Sequence, residues 1–164
     1  MEIFFHGQAI NLLDEATKLV EDAKNIINKE DKWCKGSYAK RSDIAIAATN
    51  STHDKACAWC ATGAIIKAFS NVYKKEYSEM TAGIPPNDYL FLKRATSENI
   101  VFGLALRFLA DNVDPNKYKI AVNRILDFND HDAISHKDII KLFNKTIEEM
   151  KTHEGMKTYE GMNV

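Results

Sequence analysis

The stretch Lys55-Ala56-Cys57-Ala58-Trp59-Cys60-Ala61-Thr62-Gly63-Ala64-Ile65-Ile66-Lys67-Ala68-Phe69 constrains this chain more than any other. It is apolar on nearly every side and rich in small residues, so it belongs in the interior, with other segments closing over it. Ala56, Cys57, Ala58, Cys60, Ala61, Gly63 and Ala64 keep its surface thin, and a neighbouring backbone can come close. The pattern predicts a central helix from about Asp54 to about Tyr73, with Ser51 or Thr52 as its cap. Gly63 costs such a helix about 1 kcal/mol relative to alanine, a cost that close packing offsets.

The flanking segments supply the elements that close over it. From Ala9 to Asn28, Ile10, Leu13, Ala16, Leu19, Val20, Ala23, Ile26 and Ile27 recur three and four apart, the period of an amphipathic helix. Met1 to Phe5 reads as a strand or an apolar lead-in. Gly36 is placed to take a positive φ and end the first helical region or turn the chain. Residues 37–53 read as a loop with strand character at Asp43 to Ala48. Gly83-Ile84-Pro85-Pro86 breaks the chain, a short helix is expected over Asn87 to Arg94, and a longer one begins near Ser97. Asp114-Pro115 signals another start. Asn129-Asp130-His131-Asp132 reads as a polar turn, after which Ser135 and Asp138 approximate a capping box for the last long helix. The closing repeat, Lys151 to Met156 and Lys157 to Met162, reads as a frayed helix end or a flexible tail.

Composition narrows the class. The 164 residues suit one domain, and 45% hydrophobic with 27% charged residues is globular usage. With 22 basic and 23 acidic residues the net charge is −1, so nothing draws the whole chain to nucleic acid or an anionic membrane. No stretch approaches ~18 uninterrupted apolar residues, and no basic-then-apolar leader opens the sequence; a cytoplasmic location is expected. Three cysteines make an odd set without an export signal, which points to reduced, buried thiols.

Three segments together are similar to a known family: Trp33-Cys34-Lys35-Gly36-Ser37-Tyr38-Ala39, then Trp59-Cys60-Ala61-Thr62-Gly63-Ala64-Ile65, then Asn129-Asp130 with the helix from Ser135 through Phe143. They resemble a family of small bacterial and phage proteins known as domain of unknown function 6197. After Asn129-Asp130, family members often carry a proline and a glycine, where this chain has Asp132 and Ala133. The resemblance implies a compact helical domain and draws attention to the cysteine and Asn-Asp positions without assigning them a role.

These residues offer several chemistries. Cys57-Ala58-Trp59-Cys60 is a C-x-x-C that, with Cys34 and His53 or His131, has the donors for zinc; a zinc ribbon needs a second pair, and none is present. Redox work of the thioredoxin kind needs the pair at a helix N-terminus after a strand, within a βαβ pattern that is missing here. A cysteine hydrolase or transferase would use Cys34 or Cys60 as nucleophile, His131 as base and Asp130 or Asp132 to orient it. The plainer readings are packed thiols, backbone bonds from Asn129 and Asp130 at a turn, and core positions for Trp33 and Trp59. Glycine-rich phosphate loops, H-E-x-x-H and G-x-S-x-G are absent.

The sequence therefore predicts an all-α, single-domain bundle of five or six helices over residues 1–150, with a flexible tail at 151–164. Its expected function is a non-catalytic, protein-binding or regulatory module, phage- or mobile-element-encoded, with a protein partner or a homodimer, no cofactor, no metal, no specific nucleic acid and no membrane. The alternative is a small cysteine- or zinc-dependent enzyme. The positions to locate in either case are Trp33, Cys34, Trp59, Cys60, Asn129, Asp130 and His131.

Overall fold

The computed structural model describes residues 4–5, 8–9, 12–41, 47–48, 50–74, 97–113 and 121–160. The described residues are mostly helical, and among them are two small antiparallel sheets that the all-α expectation did not include. In order, the elements are β1 (Phe4–Phe5), β2 (Gln8–Ala9), α1 (Leu12–Ile26), a 3-10 turn (Glu30–Lys32), β3 (Ala39–Arg41), β4 (Ala47–Ala48), β5 (Ala56–Trp59), α2 (Ala61–Tyr73), α3 (Ser97–Asp111), α4 (Ala121–Asp127), a π-helical turn (Phe128–Asp132) and α5 (His136–Glu160). The helix expected over Asn87 to Arg94 falls on residues outside those described, as does the start of the one signalled by Asp114-Pro115, whose later part is α4. No helix among the described residues is long and apolar enough to cross a membrane.

The amphipathic period of α1 is realised as anticipated. Leu12, Leu13, Ala16, Leu19, Val20 and Ala23 are buried while Lys18 and Asp22 face out. Asp14 and Glu15 in its first turn and Lys24 in its last complement the helix dipole. This helix packs against α2, α3 and α5. The core between them centres on Val20, Ile65, Phe69, Leu109 and Phe143, with Phe69 meeting the edge of Phe102 at 5.1 Å between ring centroids. Its N-terminal boundary is later than the sequence pattern indicates, because Gln8–Ala9 pairs with Phe4–Phe5.

The central segment is where the structure departs most from expectation. The predicted helix from Asp54 is a strand followed by a helix. Ala56–Trp59 pairs antiparallel with β3, which also pairs with β4, in the order β4-β3-β5. Helix α2 starts only at Ala61, and its N-cap is Cys60, whose sulfur accepts the Gly63 N–H at 3.3 Å. Ser51 and Thr52, the expected caps, lie in an earlier turn in which Asn50 Oδ1 accepts from both the Thr52 N–H and hydroxyl. A short run of small apolar residues satisfies a buried strand as well as a buried helix, so periodicity alone does not separate them.

The expected close approach occurs at Gly63. A Cβ there would lie 1.9 Å from the Tyr38 carbonyl oxygen, which also accepts the Cys60 N–H. Gly36 takes φ 75° and turns the chain into β3, ten residues after α1 has already ended at Ile26.

Helix α5 begins with the cap that its sequence advertises. Asp138 Oδ2 accepts the Ser135 N–H at 2.9 Å and the Ile134 N–H at 3.1 Å, and the Ser135 hydroxyl at 3.1 Å. These bonds, led by the Ser135 backbone donor, hold the Asp138 carboxyl below its ordinary 3.8. A folded-state value below the unfolded one means that the stabilisation is present above pH ~3.8 and fades as pH falls through the folded value. The urea midpoint of Asp138→Ala is accordingly expected below that of the parent protein near pH ~6, with the gap narrowing as pH falls below ~3.8; a gap independent of pH would remove the carboxylate from this account. The helix continues to Glu160, through the first repeat unit and into the second.

Candidate functional site

Two Trp-Cys dipeptides, 26 residues apart, lie side by side. Trp33 forms a parallel bridge with Trp59, and the Cys34 N–H donates to the Trp59 carbonyl at 3.1 Å. In a parallel ladder the next rung would run from the Ala61 N–H to the Cys34 carbonyl. A side-chain amide occupies that rung instead. Asn129 Oδ1 accepts the Ala61 N–H at 3.0 Å, and Asn129 Nδ2 donates to the Cys34 carbonyl at 3.1 Å. The asparagine thus takes the place of a peptide group, splicing the loop before β3 to the start of α2.

Its remaining valences are also used. Oδ1 accepts the Trp33 indole N–H at 2.8 Å, and Nδ2 donates to Asp130 Oδ1 at 2.8 Å. Two acceptor and two donor positions are the full capacity of an amide, and this orientation alone matches donors to acceptors. Asn129 is 0% exposed, so protein atoms meet its entire hydrogen-bonding need.

The π-helical turn aims this side chain inward. Its Ala133 N–H returns to the Phe128 carbonyl, five residues back, at 2.8 Å, so the polar run Asn129-Asp130-His131-Asp132 widens a helix end rather than forming a separate loop turn. Asn129 faces the interior while His131 and Asp132 face solvent. The turn is tied down from the other side. Asp130 Oδ1 accepts the Gly36 N–H at 3.0 Å, and the Lys35 ammonium donates to the Ala133 carbonyl and lies 5.5 Å from the centre of the Trp33 ring. His136, at the start of α5, has Nε2 2.6 Å from the Ile27 carbonyl, an acceptor, so Nε2 carries the proton there.

The structure therefore gathers Trp33, Cys34, Cys60, Asn129 and Asp130 at one place. Trp59 joins them through its backbone, and His131 lies on the exposed side of the π-helical turn. The Trp59 indole N–H donates to the Ser51 carbonyl at 2.9 Å, and His131 is exposed. Cys57 belongs to the strand and contacts the Lys40 carbonyl at 3.5 Å, whereas Cys60 caps the helix. Successive side chains of an extended segment alternate in direction and advance ~3.3 Å each, so this C-x-x-C does not present two sulfurs to one ligand. No group of three or more His, Cys, Asp or Glu side chains among the described residues is arranged to hold a metal ion.

The thiols feel two opposed influences. A helix N-terminus favours the thiolate, and Cys60 sits at one. Burial outweighs it: desolvation pushes Cys60 up to about 12 and Cys34 up to about 11, from an ordinary 9.0. At neutral pH these groups are overwhelmingly neutral thiols, slow as nucleophiles. Alkylation of the folded protein at pH ~8 is expected to proceed roughly 100-fold slower at Cys34 and 1,000-fold slower at Cys60 than at a free thiol, in proportion to thiolate content. Peptide mapping after timed iodoacetamide treatment checks this, and rapid labelling of either residue would contradict the packing described.

Helix α2 offers no open anion cradle either. Its Ala61 and Gly63 N–H groups are taken by Asn129 and Cys60. Sequence reasoning had not identified the Tyr38 carbonyl and the Gly36 N–H as parts of this junction. The available signal was the repeated Trp-Cys pair, whose two copies are in register.

No curated protein and no solved structure matches the chain. A family model matches residues 12–149, the span that contains all three converging segments and the stretch between them, and the chain belongs to that family, the family of unknown function DUF6197.

Proposed function

We propose that this protein is a small non-catalytic module, of the kind carried by phages and mobile elements, that acts by binding a protein partner. The junction of Trp33, Cys34, Cys60 and Asn129 holds its shape. The observation that carries this reading is the saturation of Asn129: four hydrogen bonds to protein atoms leave it nothing to offer a substrate. The neutral, buried thiols point the same way, and they weigh against the cysteine-enzyme alternative.

The surface outside the junction supports the binding half of the reading. Ile134 is 92% exposed, although its backbone is held by the Asp138 cap and its neighbour Ala133 is bonded by Lys35. His131 and Asp132 are exposed beside it in sequence. An apolar side chain fixed on a rigid turn loses little conformational entropy on docking. A photoreactive residue at position 134, introduced in the native host, is expected to give a discrete cross-linked product that the same residue at exposed Lys18 does not give. Equal products at both positions, or none at 134, would overturn the reading.

A further inference from the structure

The in-register Trp-Cys pairs bring together two cysteines that the C-x-x-C spacing does not associate. With Trp33 opposite Trp59 in an isolated parallel bridge and the Cys34 N–H on the Trp59 carbonyl, the residues that follow, Cys34 and Cys60, come side by side just before Asn129 parts the two segments. In-register residues of parallel strands project to the same face, and strands lie ~4.8 Å apart. Burial agrees: Cys34 and Cys60 are 5% and 1% exposed, as is the alternate residue Ala58 on their side of β5 at 6%, whereas Trp33, Cys57 and Trp59 are half-buried. A disulfide needs Cα atoms ~4.4–6.8 Å apart, a window that holds adjacent strands and excludes residues three apart on an extended segment. The geometry points to Cys34 and Cys60 as a redox-responsive pair, dithiol in a reducing medium and closed to a disulfide by a low-molecular-weight disulfide oxidant.

The exchange balances as follows. The Cys34 thiolate, the more accessible of the two, attacks one sulfur of the oxidant, forming a mixed disulfide and releasing one small thiolate. Cys60 then loses its proton to solvent and attacks the Cys34 sulfur, expelling the second small thiolate. Two protein thiols become one disulfide while the oxidant is reduced to two thiols. Closure changes the start of α2, because the Cys60 sulfur now accepting the Gly63 N–H is the one drawn into the bond. It also links the two strands that Asn129 splices, so the oxidised junction is locked covalently. Burial makes the first attack slow, so the device responds to sustained oxidation over hours.

The test uses full-length Cys57→Ser protein, which retains only the pair, incubated folded with bis(2-hydroxyethyl) disulfide and mapped by mass spectrometry without reduction. The expected result is loss of two hydrogens per chain, a peptide linked through Cys34 and Cys60, an unchanged helical circular-dichroism spectrum, a raised urea midpoint, and reversal by dithiothreitol. An unlinked mass, a mixed disulfide that does not close, a cross-link between chains, or closure only in urea would each overturn the proposal. Cys60→Ser protein should stop at a mixed disulfide on Cys34, and an intramolecular link through Cys57 formed in either Cys34→Ser or Cys60→Ser protein also overturns it.

Discussion

Replacing Asn129 by alanine is expected to cost about 3–6 kcal/mol of unfolding free energy, the largest loss from any polar substitution in this chain. The substitution strands the Trp33 indole N–H, the Ala61 N–H and the Cys34 carbonyl, each at ~1–3 kcal/mol when buried without a partner. Against a total stability of ~5–15 kcal/mol for a domain this size, the variant would be partly or wholly unfolded. Partial relief is available if the two segments close so that the Ala61 N–H meets the Cys34 carbonyl directly, which holds the expected loss below the ~9 kcal/mol that three fully stranded groups could reach. Urea unfolding followed by tryptophan fluorescence measures the loss, and a change below ~1 kcal/mol would mean that the junction is not under tension from its desolvated groups.

Asn129→Asp separates the hydrogen-bond account from simple loss of volume. Aspartate keeps the acceptor for Trp33 and Ala61 but replaces the donor with an oxygen facing the Cys34 carbonyl and the Asp130 carboxylate. Only the protonated acid restores the donor, so folding raises the carboxyl's pKa above its unfolded value of ~3.9. The sign follows from linkage: the variant's stability falls as pH rises above ~3.9 and stops falling once the folded value is passed. A flat pH response relative to the parent protein would refute the donor role assigned to Nδ2.

Gly63→Ala is the second substitution with a large expected effect. Two terms oppose each other. Alanine in place of glycine in a helix gains up to ~1 kcal/mol. Its methyl group would stand 1.9 Å from the Tyr38 carbonyl oxygen and 3.2 Å from Ser51 Oγ, and the carbonyl belongs to a backbone held by the Cys60 N–H. Forcing the loop away from the helix costs more than the propensity gain, and we expect a net loss of about 2–4 kcal/mol. The internal comparison is Gly103→Ala in α3, where nothing lies within 4 Å of the new methyl and the residue faces out. That variant is expected to gain ~0.5–1 kcal/mol. Two substitutions of the same chemistry with opposite signs would localise the effect to the Tyr38 crossing; the same sign in both would not.

These expectations draw on parts of the chain that were unequally legible in sequence. Helix α1 was plain because its apolar positions keep a 3.6-residue period over four turns, and only its two ends were misassigned. The Ser135–Asp138 cap was plain because its chemistry is local: donor and acceptor are three residues apart. The strand at Ala56–Trp59 was hidden because small apolar residues carry no period, and what makes them a strand is pairing with Ala39–Arg41, more than a dozen residues earlier. Asn129-Asp130 was read as bonding backbone at a turn, but which backbone it bonds was not legible. As an exposed turn it would bond its own backbone, whereas the π-helical turn directs it to Trp33, Cys34 and Ala61, which lie 68 to 96 residues away in sequence.

The sequence by itself determined the helical character, the outer and inner faces of the long helices, the Ser135–Asp138 cap of the last one, and the burial of a small-residue centre. Each of these depends on interactions within a few residues, where spacing fixes geometry. The tertiary structure decided where the central strand ends and α2 begins, which cysteines are neighbours, and why one asparagine is fully enclosed. Those outcomes rest on unpaired backbone groups of distant segments finding a common partner. A buried N–H or carbonyl must be satisfied wherever its partner lies in the chain, and local sequence records the need without recording what meets it.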